Sequence, residues 1–162
     1  MIKTIWGGKL FREGARMPEK KTIKSRGYDV YAWTPSDDGV VIPPMGCATI
    51  NTGVNLRIPD GCHVDVKSRS GLAHKYQVFV LNADGLIDED YLGHGEEYEL
   101  KAILFNLGKK DFVVEKGDRI AQIVLRHSIE EELRTDPDSM DYDKIKEQMG
   151  SERIGGFGST GV

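Results

Sequence analysis

CATINTGVNLRIPDGCHVDVK, residues 47–67, decides the fold class. A strand-like run over residues 47–58 stops at the turn residues IPDG, and a second run, residues 62–67, begins directly after them. Short runs rich in Val, Ile and Thr, split by Pro, Asp and Gly, are the pattern of β-strands and their turns. The rest of the chain repeats it. Residues 2–6, 28–33, 78–82, 98–105, 112–115 and 119–126 read as strands, and PSDDG, IPPMG, NLGKK and EKGD read as the breaks between them. About eight short strands at this spacing predict an all-β sandwich, barrel or jelly roll. SGLAHKY (70–76) predicts one short helical turn, and DYDKIKEQM (141–149) a short helix capped by Asp141 or Asp143.

A length of 162 residues suits one domain, 1–162, with a core of real size. The formal net charge is -4, with the acidic surplus at 96–99 and 130–143 and a small basic run at Lys20, Lys21, Lys24 and Arg26. There is no overall basic footprint, so nucleic acid is not an expected partner, and any polyanion must be met at a local site. Cys47 and Cys62 stand in no metal-ligand spacing. A reduced, intracellular protein is the expectation and a single disulfide the alternative. No apolar run reaches membrane-spanning length, and MIKTIWGGKL lacks a signal-peptide core. The expected location is the cytoplasm (or the nucleus, in a eukaryotic source), away from membranes.

Four internal segments carry candidate chemistry. In GYDVYA, Asp29 is an acid within an aromatic strand. In SRSGLAH, Arg69 and Ser70 precede Gly71 and a possible helix start, which together make an anion site; an ordinary loop arginine is the simpler reading of that segment alone. In NADGLIDEDY, Asn82 ends an apolar run, a turn follows at Gly85, and Asp88 succeeds Leu86 and Ile87. A carboxylate partly buried at a strand start there would orient and deprotonate a water, whereas an acidic β-turn is the plainer meaning of DED. In GDRIAQIVL, Gln122 is an amide inside an alternating apolar strand, facing either a cavity or solvent.

The terminal RIGGFGSTGV (153–162) has little with which to pack itself. It is either a loose tail or an arm that orders on a ligand. Bare N–H groups, the hydroxyls of Ser159 and Thr160, the Arg153 guanidinium and the Phe157 ring suit a phosphorylated ligand.

In order, RGYDVYA, SRSGLA, NADGLIDEDYLG, GDRIAQIVL and RIGGFGSTG resemble the five motifs of the homotrimeric deoxyuridine triphosphatase (dUTPase) family, over residues 26–161. The resemblance implies a jelly-roll-like β-barrel subunit with one or two short helices, assembled as a homotrimer with an exchanged C-terminal arm. It implies hydrolysis of dUTP to dUMP and pyrophosphate by water attack on the α-phosphorus. By the same resemblance, Asp88 holds the attacking water, and Tyr91 packs under the deoxyribose. Asn82 and the Gly85–Leu86–Ile87 backbone read uracil. Arg69, Ser70, Gly71 and Gln122 grip the α- and β-phosphates. Arg153, Gly158, Ser159 and Thr160 close on the γ-phosphate, with Phe157 stacked on the base. Mg²⁺ is implied as the cofactor, carried mainly by phosphates and touched by Asp29 through water.

The chain departs from the pattern at three places. Arg26 stands where the family usually has alanine; HGEEY (94–98) looks like an insertion; and the connection over 128–150 is long and acidic. The inserts suggest a protein partner of the kind attributed to some phage members. The nearest rival of the same fold, dCTP deaminase, needs a glutamate at the position of Ile103 and tends to carry serine at that of Gly71, so both points favour hydrolysis.

Overall fold

Turn residues cut this chain into shorter pieces than the apolar runs alone suggest. The computed structural model describes residues 6–82, 84–91 and 96–129. Among them the strands are β1 (Gly7–Leu10), β2 (Tyr28–Tyr31), β3 (Val40–Ile42), β4 (Cys47–Asn51), β5 (Val54–Arg57), β6 (Cys62–Lys67), β7 (Val78–Val80), β8 (Gly85–Ile87), β9 (Lys101–Asn106), β10 (Phe112–Val114) and β11 (Arg119–His127). One α-helix, α1 (Ser70–Tyr76), lies between β6 and β7. The strands form sheets ordered β2-β11-β6-β8, β4-β9-β7, β1-β5 and β3-β10. Every pairing is antiparallel. The all-β expectation holds, and α1 is longer than the single turn expected.

Side-chain alternation builds the core. On β6, Cys62, Val64 and Val66 are buried while His63, Asp65 and Lys67 are half-exposed. On β9, Ala102, Leu104 and Asn106 point inward. This period of two gives the sheets of β6 and β9 one buried face each. Asn106 is a buried polar residue that is fully used: its amide donates to the carbonyls of Ile42 and Lys110 at 2.8 Å each, and its oxygen accepts from the Gly108 N–H at 2.9 Å. It ties the turn after β9 to β3.

The run over residues 47–58 is two strands. Gly53 breaks it with φ +70°, and a Cβ there would stand 2.6 Å from that of Ala15. Any other residue would be strained as well as crowded. The N–H groups of Thr52 and Gly53 turn away from a ladder and donate to the Glu99 carboxylate. The run over 98–105 shortens for the same reason: Glu96–Tyr98 is a 3₁₀ turn, and β9 begins only at Lys101. β3 and β8 were not expected as strands, being three-residue segments without a readable period. Residues 2–5 of the strand expected at 2–6 lie outside the described residues, and the first strand seen is β1. The helix expected at 141–149 and the arm at 153–162 also lie outside them. Both cysteines are free, Cys47 exposed and Cys62 buried. No helix among the described residues is long and apolar enough to cross a membrane.

Candidate active site

Four polar side chains from three segments meet at the β2 edge of the four-stranded sheet. Asp29 on β2 is buried at 4% exposure. Its Oδ1 accepts from Arg69 Nε at 3.2 Å and from Gln122 Nε2 at 3.0 Å, and its Oδ2 accepts from Arg119 Nη1 at 3.2 Å. Arg69 also donates to the Arg119 carbonyl at 2.9 Å. Arg69 is the last extended residue before α1, whose N-terminus has no side-chain cap. The backbone N–H groups of Ser70 and Gly71 therefore start the helix beside two guanidinium groups, an arrangement suited to phosphate oxygens.

Sequence reasoning found Asp29, Arg69 and Gln122 but not Arg119. Arg119 and Gln122 are three residues apart, an odd spacing that puts side chains on opposite faces of a regular strand. A register shift in the β11–β2 pairing lies between Arg119 and Ala121. Ile120 and Ala121 are consecutively buried there, at 1% and 0%. The bulge adds one residue and turns both polar side chains toward Asp29. The strand is thus not the simple alternation expected. Two adjacent apolar residues between Arg and Gln were the available signal.

Burial alone would raise the Asp29 pKa, but the Gln122 amide, the Arg69 charge and the Arg119 hydrogen bond outweigh it, and the net shift is downward. A depressed carboxylate pKa contributes stability that is full above the unfolded value and lost as pH falls through the folded one. Wild-type protein should therefore lose stability as pH drops below about 4. Asp29→Asn should flatten that limb and lower stability at neutral pH by about 2 kcal/mol, since partial solvation of the arginines softens the loss of a buried partner. Urea unfolding across pH measures both. Equal acid sensitivity in the two proteins would refute the account.

At the opposite edge of the same sheet, β8 lies along β6, with Gly85 opposite Val66 and Ile87 opposite Val64. A cavity of about 360 Å³ opens beside it, lined by Asn82, Gly85, Leu86, Ile87, Asp88, Tyr91, Val66 and Ile103 among others. A Cβ at Gly85 would stand 2.8 Å from the Asn82 amide nitrogen, so a larger residue there would push that amide aside. The hairpin is therefore tight against its own amide. Asp88 is exposed and just beyond the end of β8, not partly buried at a strand start. The Tyr91 N–H donates to the Asp88 carbonyl at 3.2 Å, and this turn lifts Asp88 off β6 before it can pair. Leu86 is 61% exposed. Ile103 places an aliphatic group on the cavity wall where a deaminase would need a carboxylate.

Within one chain the two clusters are separate. Three strand intervals divide β2 from β8, roughly 14 Å. Asp88 falls level with His63, whereas Arg69 follows the other end of β6, six residues along, or roughly 20 Å.

Among the described residues no group of three His, Cys, Asp or Glu side chains could hold a metal ion. With both Asp29 oxygens already accepting from Arg69, Gln122 and Arg119, this donor set fits a hard cation carried by a ligand's phosphates and reached through water.

The family model for dUTPase matches residues 13–161. The chain belongs to the dUTPase family. It is 40% identical over 162 residues to the deoxyuridine 5'-triphosphate nucleotidohydrolase of Ehrlichia canis (strain Jake), covering 100% of this chain and 95% of that one. It is 38% identical over 150 residues to the enzyme of the same name from Anaplasma marginale (strain St. Maries), covering 92% and 91%. A mutant Staphylococcus bacteriophage 80alpha dUTPase solved with dUpNHpp is similar in structure at TM-score 0.71 and 26% identity, covering 99% of this chain and 100% of that one. The Streptococcus mutans dUTPase shares the fold at TM-score 0.69 and 23% identity, covering 78% and 99%. Four of the five dUTPase motifs meet the described residues, and they divide between the two clusters. Arg153, Phe157, Gly158, Ser159 and Thr160 of the fifth lie outside them, as do Ala83, Leu92 and Gly93 of the third.

Proposed function

We propose that this chain is a dUTP diphosphatase that hydrolyses dUTP to dUMP and pyrophosphate, limiting uracil available to DNA and supplying dUMP for thymidylate synthesis. The observation that carries the detailed reading is the two-cluster geometry. A hairpin with a tight amide-bearing turn suits a pyrimidine edge, and a pair of arginines at an uncapped helix start suits phosphates. In this reading Asn82 and the Gly85–Ile87 backbone hold uracil, Tyr91 lies under the deoxyribose, and Asp88 orients and deprotonates the attacking water. Arg69, the Ser70 and Gly71 backbone and Gln122 hold the α- and β-phosphates. Asp29 fixes the direction of Arg69, Arg119 and Gln122, so their donors need no reorganisation when substrate arrives. Arg153, Gly158, Ser159 and Thr160 close on the γ-phosphate, and Phe157 covers the base. Mg²⁺, when bound on the phosphates with Asp29 reached through water, neutralises their charge.

The same geometry supports a homotrimer with a site shared between subunits. One α-phosphorus cannot touch Asp88 and Arg69 of the same chain across roughly 20 Å of strand. In this reading a second copy brings its hairpin to the phosphate cluster of the first. A surface for this exists on the outer face of the β4-β9-β7 sheet. Phe79 and Phe105 meet there at a tilt of 53° with centroids 5.7 Å apart, and Leu81 is 45% exposed. Apolar sheet faces of this kind mark interfaces. The single-domain organisation over 1–162, with 153–162 as an exchanged arm, and a cytoplasmic location belong to this reading. For a protein partner at inserts 94–98 and 128–150 we find less support: in the described part of the first, Glu96 pairs with Arg12 at 3.1 Å and Tyr98 packs on Tyr91.

Substrate choice tests the proposal. Pyrophosphate release should be faster from dUTP than from dTTP, dCTP or UTP by ~10²-fold or more, because cytosine leaves hairpin polar groups unpaired while the thymine methyl and the ribose 2′-hydroxyl collide with the tight turn and the Tyr91 ring. Equal turnover of dCTP, or ammonia release from it, would sink the hydrolase reading.

A further inference from the structure

We infer that the segment 96–99, anchored by Arg12, is a strap that holds the Tyr91 ring in place, so that discrimination of deoxyribose from ribose depends on residues outside the sugar-contacting hairpin. This rests on the reading of Tyr91 as the sugar-facing ring.

Tyr91 is 37% exposed, so core packing does not immobilise it. Its hydroxyl donates to the Glu97 carbonyl at 2.7 Å, with the Glu99 carbonyl at 3.4 Å. Its ring meets that of Tyr98 edge-on, with centroids 5.8 Å apart at 64°. Both contacts come from the 3₁₀ turn Glu96–Tyr98 and the residue after it.

That turn is itself tied down. The Glu99 side chain is fully buried, accepts the N–H groups of Thr52 and Gly53, and pairs with Arg12 Nη2 at 3.0 Å. Arg12 Nη1 reaches Glu96 at 3.1 Å, and the guanidinium lies over the Trp33 ring at 4.4 Å. A buried, multiply bonded carboxylate has one low-energy position, and the carbonyl that receives the Tyr91 hydroxyl is two residues from it. Burial, then Glu99, Tyr98 and Glu97, push the Tyr91 hydroxyl pKa upward, so it remains a donor at neutral pH. Exclusion of a 2′-hydroxyl is steric and therefore sensitive to small ring movements. Arg12 lies outside all five motifs, and residues 96–98 belong to the stretch that looks inserted. The strap thus gives this chain its own means of setting a shared family contact.

The test compares kcat/KM for dUTP and UTP in wild type, Tyr91→Ala, Tyr98→Ala, Tyr98→Phe and Glu97→Ala. Arg12→Gln strips a buried carboxylate of its partner and endangers folding, so the partly exposed Tyr98 carries the test. Melting temperature confirms that each variant is folded. The dUTP-to-UTP preference should fall about tenfold or more in Tyr98→Ala, mainly through faster UTP turnover. It should return in Tyr98→Phe, which keeps the ring, and stay unchanged in Glu97→Ala, which keeps the carbonyl. If Tyr91→Ala removes the preference but folded Tyr98→Ala keeps it, the strap is wrong while the assignment of Tyr91 stands. If wild type shows no preference, or Tyr91→Ala retains it, the sugar assignment fails and the strap with it.

Discussion

Asp88→Asn lowers kcat for dUTP by about 10²–10⁴ and leaves dUTP binding largely intact, in line with the contribution of a positioned general base. The substitution keeps shape and hydrogen-bonding capacity and removes only the proton acceptor. Asp88 is exposed, beyond the end of β8, and makes no ion pair among the described residues. Its loss should therefore leave melting temperature unchanged, which separates a catalytic role from a structural one. Single-turnover kinetics with a dUTP binding measurement decide the matter. Near wild-type turnover would make Asp88 a turn carboxylate and place the base elsewhere.

Deletion of residues 153–162 abolishes most activity without moving the apo melting temperature. The buried apolar core described here is drawn from residues 30–123. The deleted stretch offers only Ile154, Phe157 and Val162 as apolar groups. It also carries Arg153, Ser159 and Thr160, and each charge-assisted contact to a phosphate is worth roughly 1.5–3 kcal/mol. Losing several together lowers kcat/KM by orders of magnitude. Phe157→Ala should weaken base stacking alone. In a shared site, truncated protein mixed with Asp88→Asn protein should regain activity after subunit exchange, because each supplies what the other lacks. An active truncated protein, or no rescue despite proven exchange, would show that the segment is passive or closes on its own subunit.

Much of the site is legible in the sequence because its chemistry is local. Gly85 sits against an amide only three residues away in the chain, and the Asn82–Tyr91 stretch brings Asn82, Asp88 and Tyr91 to one cavity. Arg119 is not legible, because its orientation depends on a bulge that exists only in pairing with β2. The role of Glu99 is not legible for a related reason. In sequence it is one member of the acidic run at 96–99, and only the fold places it under the N–H groups of Thr52 and Gly53 beside Arg12, 87 residues away. Asp88 moves from an expected strand start to a strand end because β8 is three residues long and set by its register on β6.

The sequence by itself determined the all-β class, the five motifs and the family, because turn residues, strand periodicity and short motifs act through neighbours along the chain. Only the tertiary structure decided which carboxylates are structural and which free, how Arg119 joins Asp29, and that the Asn82–Tyr91 stretch and the Asp29 cluster of one chain lie apart. Those outcomes depend on strand register and burial, which join residues far apart in sequence and leave no periodic trace in it.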